Sequence, residues 1–163
     1  MSFINGMETA SLSEIKKELN SLEPSLLLDL SIRLAKYKKD NKELLSYLLF
    51  HAHDEEGFIK NIKSEIDIHL KEMNRTNLYY VKKSLRKILR FTNKYIRYSG
   101  IKETEIELLL YFCQQIKRSK IPISSSVAIT NIYNNQIKKI KKTLSALHED
   151  LQYDYGKELE SLI

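Results

Sequence analysis

The sequence predicts an all-α protein of about seven short helices, and three observations support this. Apolar residues recur at the three- and four-residue spacing of helices, whereas strict alternation never lasts beyond a few residues. The 163 residues include only two prolines and four glycines, too few for a sandwich or barrel with its frequent turns. Charged residues make up 29% and hydrophobic residues 42%, which is typical of a folded rather than a disordered chain.

Capping residues predict the N-terminal helices. Ser11 and Glu14 have the spacing of a capping box, which begins the first helix. Pro24 suits the first turn of the second helix, where its missing N–H costs nothing. Asp40 or Asn41 begins the third. Residues 1–10 carry no helical pattern, so we expect a flexible N-terminus.

The middle helices are bounded by acids, amides and glycines. Acidic residues 54–56 suit the start of a fourth helix, although this helix could also continue the third with a kink at Gly57. Thr76 or Asn77 caps a long fifth helix, which Gly100 stops in the usual C-terminal way. Glutamates at the front of the sixth helix and cations at its end match the helix dipole.

The last helix is predicted to follow an extended segment, residues 121–123. Ser124 or Ser125 is the predicted N-cap of this helix. The helix is predicted to continue or restart after residues 148–150, and Gly156 is expected to weaken or end it. Together these patterns place the predicted helices at about residues 12–22, 24–38, 41–53, 55–73, 77–98, 103–118 and 125–147.

The connections between these helices span about two to five residues, so we expect successive helices to be antiparallel neighbours. Residues 11–163 would then form a single all-helical domain. A short α-α superhelix is slightly favoured over a compact helical bundle, because seven helices of unequal length stack in layers more easily than around one core.

The fifth helix carries an unusual concentration of positive charge. Between Arg75 and Arg97 the chain has eight basic residues and no acid. At 100° per residue the eight fall within an arc of about 140°, and apolar residues fill the remainder. Such an arc beside a buried stripe is typical of a surface that meets an anion. We call the following eight residues the basic face: Arg75, Lys82, Lys83, Arg86, Lys87, Arg90, Lys94 and Arg97.

Arginine content strengthens this interpretation more than net charge does. The formal charge of +6 is weak evidence, because a lysine- and asparagine-rich composition also follows from an AT-rich genome. Of the six arginines, however, four lie in the basic face, and the guanidinium fork suits phosphate. A second acid-free cluster in the seventh helix is predicted to extend the basic face: Lys138, Lys139, Lys141 and Lys142.

These features predict a non-enzymatic, intracellular binding module that engages an anionic macromolecule, with nucleic acid the favoured partner. Tyr79, Tyr80 and Tyr98 lie in or beside the arc and could stack on bases, but with ten tyrosines in the chain we expect them to pack. The acidic C-terminus, including Glu149 and Glu158, could instead cover the basic face. In the alternative function the chain is a protein-protein interaction scaffold that binds a partner helix, and its cations serve only solubility.

Catalytic and cofactor motifs are missing from the sequence. No Gly-x-Ser-x-Gly elbow, phosphate loop or dinucleotide fingerprint occurs, so we expect neither catalysis nor a cofactor. His51, His53 and Glu55 form the one candidate metal cluster, but a zinc site normally needs further ligands, and we predict no metal. Cys113 lies in an apolar run, where a packed, inert thiol is expected.

One segment resembles a helix-turn-helix. Residues 116–139 combine a helix end, a short turn and a second helix that offers Ser124, Ser125, Thr130 and Asn131 for contacts, although no glycine marks the turn. Elsewhere, no apolar stretch reaches the length of a membrane span, and the start lacks the pattern of a secretory signal. We therefore expect a cytoplasmic protein that does not enter membranes.

Overall fold

The computed structural model describes residues 6–163, and its regular structure there consists of α-helices and one 3-10 helix, Ile123–Ser125. The all-α prediction is confirmed, with one helix more than expected. The eight α-helices are α1 Leu12–Asn20, α2 Pro24–Tyr37, α3 Lys39–Phe50, α4 Glu55–Lys71, α5 Leu78–Ser99, α6 Lys102–Arg118, α7 Val127–Leu144 and α8 Glu149–Glu160.

The chain divides between Ser46 and Tyr47, within α3, into two units. The first contains the predicted starts of α1 and α2. The predicted start of the third helix is wrong, because α3 begins at Lys39 and Asp40 and Asn41 lie inside its first turn. Ser11 accepts a hydrogen bond from the N–H of Glu14, and the Glu14 carboxylate accepts one from the N–H of Ser11. Pro24 is the first residue of α2, as predicted. Of the expected flexible segment 1–10, residues 1–5 lie outside the described chain and residues 6–10 form no helix. That residues 11–163 form one domain stays a prediction.

No residue in 6–46 is buried, although α2 is rich in leucine. An apolar helix normally packs its apolar side chains against other elements. Those of α2 are instead between 41% and 62% exposed at five positions: Leu26, Leu28, Leu30, Ile32 and Leu34.

The second unit, residues 47–163, has a core centred on α6. This helix packs against α4, α5, α7 and α8, and at 100° per residue its buried side chains span about 240° of its circumference. A helix with so wide an apolar face needs neighbours on several sides to cover it. The fully enclosed residues of α6 include Ile106, Leu108, Leu109, Phe112 and Ile116.

The boundary between α3 and α4 is a break and not a kink. The α3 helix ends at Phe50, and Asp54 caps α4 by accepting a hydrogen bond from the N–H of Gly57 at 2.9 Å. A Cβ at Gly57 would meet that carboxylate, so a larger residue here requires the Asp54 side chain to shift. Of the two alternatives, the separate fourth helix is confirmed.

The C-terminal boundaries differ from those predicted. Ser126 caps α7, because the preceding serines belong to the 3-10 helix, so the prediction of Ser124 or Ser125 is wrong. Residue 123 likewise lies in that 3-10 helix and is not extended. The chain restarts as α8 with His148 as cap, and Gly156 lies inside this helix without ending it.

Candidate anion-binding site

Seven of the eight basic-face residues lie on α5, opposite its buried stripe. That stripe includes Val81, Leu85, Ile88 and Ile96, which pack into the core. Lys82 and Lys94 are half-buried. The five exposed members are Lys83, Arg86, Lys87, Arg90 and Arg97.

Arg75 does not belong with the other seven. The α5 helix begins at Leu78 with Asn77 as cap, so Arg75 lies in the preceding connection and its predicted position on the helix is wrong. Its guanidinium Nη1 donates to the carbonyl oxygen of Ser119 at 2.8 Å. Arg75 therefore joins the α4–α5 connection to the end of α6.

The lysines of α7 point in different directions, so the structure does not bring all four to α5. Lys139 faces α5, since its Nζ donates to Oδ1 of Asn93 at 3.1 Å. At 100° per residue, Lys142 lies about 60° around the axis from Lys139, Lys138 about 100° and Lys141 about 160°. The predicted extension from α7 thus reduces to Lys139 and Lys142.

The arginines of α5 are not neutralised by carboxylates of their own unit. Among residues 47–163, no carboxylate forms an ion pair with Arg86, Arg90 or Arg97. The acidic α8 packs on α6 and α7, where the Glu158 carboxylate accepts from Nε2 of Gln114 at 3.3 Å. The covering of these arginines by Glu158 considered from the sequence is therefore not found.

A groove follows α5 as three adjoining hollows of about 490, 560 and 560 Å³. The first is lined by α5 residues alone, and the second lies between α5 and α7. The third lies between α5 and the start of α6, where Glu105 of α6 and Lys139 of α7 also line it. Arg86 and Leu89 line the first two hollows, and Arg90 and Asn93 line the first and the third. We call this the α5/α7 groove. The α7 side contributes mostly uncharged residues: Val127, Ala128, Asn131, Ile132, Asn135 and Gln136, with Lys139 in the third hollow.

Two of the three tyrosines expected to pack are exposed. Tyr79, which lines the first hollow, is 59% exposed and Tyr80 is 41% exposed, so that expectation is wrong for both. Lys82 Nζ lies 5.2 Å from the Tyr79 ring centroid, a cation–π distance. Tyr98 is half-buried and packs edge-on against Tyr95.

Glu55 has a different role from the metal ligand considered above. Its half-buried carboxylate accepts hydrogen bonds from the hydroxyls of Tyr47 at 2.6 Å, Thr104 at 2.7 Å and Ser99. Burial and the hydrogen bond to Glu55 raise the pKa of Tyr47. Among residues 6–163, no three His, Cys, Asp or Glu side chains are grouped to hold a metal ion. Sequence spacing gave no sign of this cluster, because its members come from four different helices.

The connection between α6 and α7 departs from the helix-turn-helix pattern. It covers residues 119–126, whereas that motif uses a turn of about three to four residues. Thr130, one of the residues expected to be available, donates its hydroxyl to the carbonyl oxygen of Ile123 at 2.7 Å. Ser124, Ser125 and Asn131 are exposed.

Comparisons with models of protein families, with curated proteins and with solved structures gave no match. Across the described residues, no helix combines the length and apolar character needed to cross a bilayer. Function is therefore inferred from the geometry and charge of residues 47–163.

Proposed function

We propose that this chain is a non-enzymatic binding protein that engages an anionic macromolecule, nucleic acid before other polyanions, through the α5 cations. One observation carries the proposal: Arg86, Arg90 and Arg97 are exposed, have no ion-pair partner in their unit and line one groove. A guanidinium without an internal partner is available to bind phosphate in bidentate geometry. Lys142, exposed on α7 about 60° around its axis from Lys139, is proposed to extend the same positive surface.

Salt dependence provides the first test of this proposal. Binding of labelled generic DNA and RNA would be followed by fluorescence anisotropy over a range of salt concentrations. If about six phosphates of a duplex are neutralised, log affinity falls against log salt with a slope near −5. No binding at low salt would overturn the nucleic-acid proposal.

A charge-removal variant tests the location of the site. Arg86→Gln/Arg90→Gln/Arg97→Gln is expected to abolish binding and to leave thermal stability nearly unchanged, since no internal ion pair is lost. The matched control removes three exposed lysines elsewhere, Lys71→Gln/Lys138→Gln/Lys141→Gln. Equal losses in both variants would show that net charge, and not the basic face, produces the binding.

The exposed leucines of α2 favour a second candidate function, a scaffold that binds the apolar side of a partner helix. Leu28 and Leu34 are 61% and 62% exposed, in a unit with no buried residue among 6–46. In that case Leu28→Glu/Leu34→Glu abolishes capture of a protein partner, whereas the triple arginine variant retains it. If Leu28→Glu/Leu34→Glu still captures the protein partner, the scaffold function of α2 is excluded and only the first proposal remains.

The arrangement of helices belongs to the proposal as well. Antiparallel neighbours, stacked as a short superhelix or closed as a bundle, remain the predicted architectures. A scattering radius of gyration of about 15 Å is expected for a compact globule of this length, and a clearly larger one for the superhelix.

A further inference from the structure

We infer that the α5/α7 groove receives an unpaired strand of nucleic acid in preference to a duplex. This inference rests on the proposed function and deepens it by naming the form of the polyanion. Three features of the groove carry the inference: its hollow shape, its exposed tyrosine and its uncharged polar wall.

The shape of the groove suits unstacked bases. Its three hollows are open to solvent and have volumes of about 490 to 560 Å³, comparable in size to pockets that bind small organic groups. A duplex keeps its base faces stacked inside and offers a protein its backbone and base edges. Only an unpaired strand can turn bases into such hollows.

Tyr79 supplies a surface on which a base can stack. It is 59% exposed and lines the hollow that also contains Arg86 and Arg90. Proteins that bind single strands combine aromatic side chains for the bases with a positive groove for the backbone. Lys82 Nζ lies over the Tyr79 ring, 5.2 Å from its centroid, so a base that stacks on that face takes the place of this cation–π contact.

The α7 wall of the second hollow carries uncharged side chains that can form hydrogen bonds. Asn131 and Asn135 of α7 are exposed and line the second hollow together with Arg86. The buried Gln136 instead donates from its Nε2 to the Ile132 carbonyl at 3.0 Å. Amide side chains donate and accept together, which matches the edges of unpaired bases.

The decisive experiment compares strands on the intact chain. Labelled pyrimidine oligonucleotides of about 20 nucleotides, as DNA, as RNA and as the DNA duplex, are titrated with the protein near 100 mM salt. We expect at least roughly tenfold tighter binding of the single strands than of the duplex. The DNA and RNA arms show whether the sugar hydroxyl contributes.

Tyr79 variants test the stacking surface. Tyr79→Ala is expected to weaken single-strand binding roughly five- to tenfold, with little effect on any duplex binding, whereas Tyr79→Phe keeps nearly all of it. Tyr153→Ala is the matched control, because Tyr153 is 66% exposed with Lys157 Nζ 4.0 Å from its ring centroid, on α8.

Photocrosslinking gives a readout that does not depend on variant stability. A bromouridine oligonucleotide is crosslinked to the wild-type chain and digested with trypsin, and we expect adducts on residues 76–82, which contain Tyr79. Adducts confined to peptides outside α5 and α7, or a duplex bound as tightly as the strand with Tyr79→Ala unchanged, would overturn the inference and leave the proposed function standing. No binding of any oligonucleotide would overturn both.

Discussion

The Lys139 ammonium lies 3.1 Å from Oδ1 of Asn93 and so joins α7 to α5 along the groove. The same nitrogen is 3.8 Å from Oε1 of Glu105, an oxygen that also accepts a hydrogen bond from the hydroxyl of Thr143 at 2.6 Å. Lys139 thus connects three helices, and its charge is partly balanced by Glu105. Its main role is to hold the two walls of the groove together.

We expect Lys139→Met to lower the free energy of unfolding by about 0.5 to 1 kcal/mol, because a partly exposed charged hydrogen bond is lost. The matched control is Lys138→Met, since the neighbouring Lys138 is exposed and has no partner in the described chain. Thermal denaturation by circular dichroism measures both. Equal melting temperatures for the two variants would contradict the role assigned to Lys139.

Arg75 and Arg97 are expected to respond in opposite ways. Arg75→Gln removes the hydrogen bond to the Ser119 carbonyl and should cost about 1 kcal/mol of stability, while oligonucleotide affinity stays nearly constant. Arg97→Gln should leave the melting temperature unchanged and reduce the salt slope by about one. Unfolding curves and anisotropy titrations on the same samples measure both effects. An affinity loss for Arg75→Gln equal to that for Arg97→Gln would show that Arg75 contributes to oligonucleotide binding with the other basic-face residues.

Two glycines provide a test of the helix ends. Gly156 lies inside α8 with open space where a Cβ would be, so Gly156→Ala should stabilise the chain by about 0.5 to 1 kcal/mol. Gly100 ends α5 with φ of 68°, so Gly100→Ala should destabilise it by about 1 kcal/mol. Urea denaturation gives both values. Destabilisation by Gly156→Ala would mean that α8 is not continuous there.

The thiol of Cys113 should be inert in the folded chain. The residue is fully enclosed, and burial raises its pKa to about 12. Because the thiolate is the reactive form, iodoacetamide at about pH 8 should modify the native chain far more slowly than the chain in concentrated guanidinium chloride. Mass spectrometry of the alkylated peptide provides the measurement, and similar rates in both states would show that α6 is not enclosed.

The raised pKa values of three tyrosines lead us to expect a loss of stability at alkaline pH. Burial raises the pKa of Tyr111, Tyr133 and Tyr155 to about 12. In the unfolded chain these phenols ionise near their ordinary pKa of about 10. Their contribution is therefore complete below about pH 10 and declines as the pH rises through about 12.

Tyr133→Phe isolates one of these groups from the titration of lysines. Tyr133 donates its hydroxyl to the Leu162 carbonyl at 2.8 Å, so the variant should lose some stability at neutral pH. Between about pH 10 and 12 its urea midpoint should fall less steeply than that of the wild type. Parallel curves for the two proteins would show that Tyr133 ionises normally in the folded state.

Local signals in the sequence predicted most helix boundaries. Ser11 with Glu14, Pro24 and Gly100 each specify a boundary through their own backbone or side-chain geometry. The start of α7 could not be predicted in this way, because three consecutive serines are equally good caps. The choice of Ser126 follows from the preceding 3-10 helix, which the Thr130 hydroxyl stabilises by binding the carbonyl of Ile123.

The sequence predicted the part of the candidate site that lies on one helix, and it missed the part that depends on how two helices pack together. Angular positions along α5 follow from the sequence alone, so seven cations of the basic face were placed correctly on that helix. Arg75 fits the same periodicity by coincidence, since the side chain of Asn74 accepts from the N–H of Thr76 and shapes the connection before the helix. How α7 turns toward α5 depends on packing, so neither the position of Lys141 nor the groove could be predicted.

The lack of buried side chains in residues 6–46 has a consequence for the kinetics of opening. Ordering each residue costs about 1 to 2 kcal/mol of chain entropy. In residues 6–46 little apolar surface is removed from water on folding, so hydrophobic burial offsets only a small part of that cost. Amide protons of α1 and α2 should therefore exchange with deuterium long before those of α6. A protease added to the intact chain would make its earliest cuts in the same region.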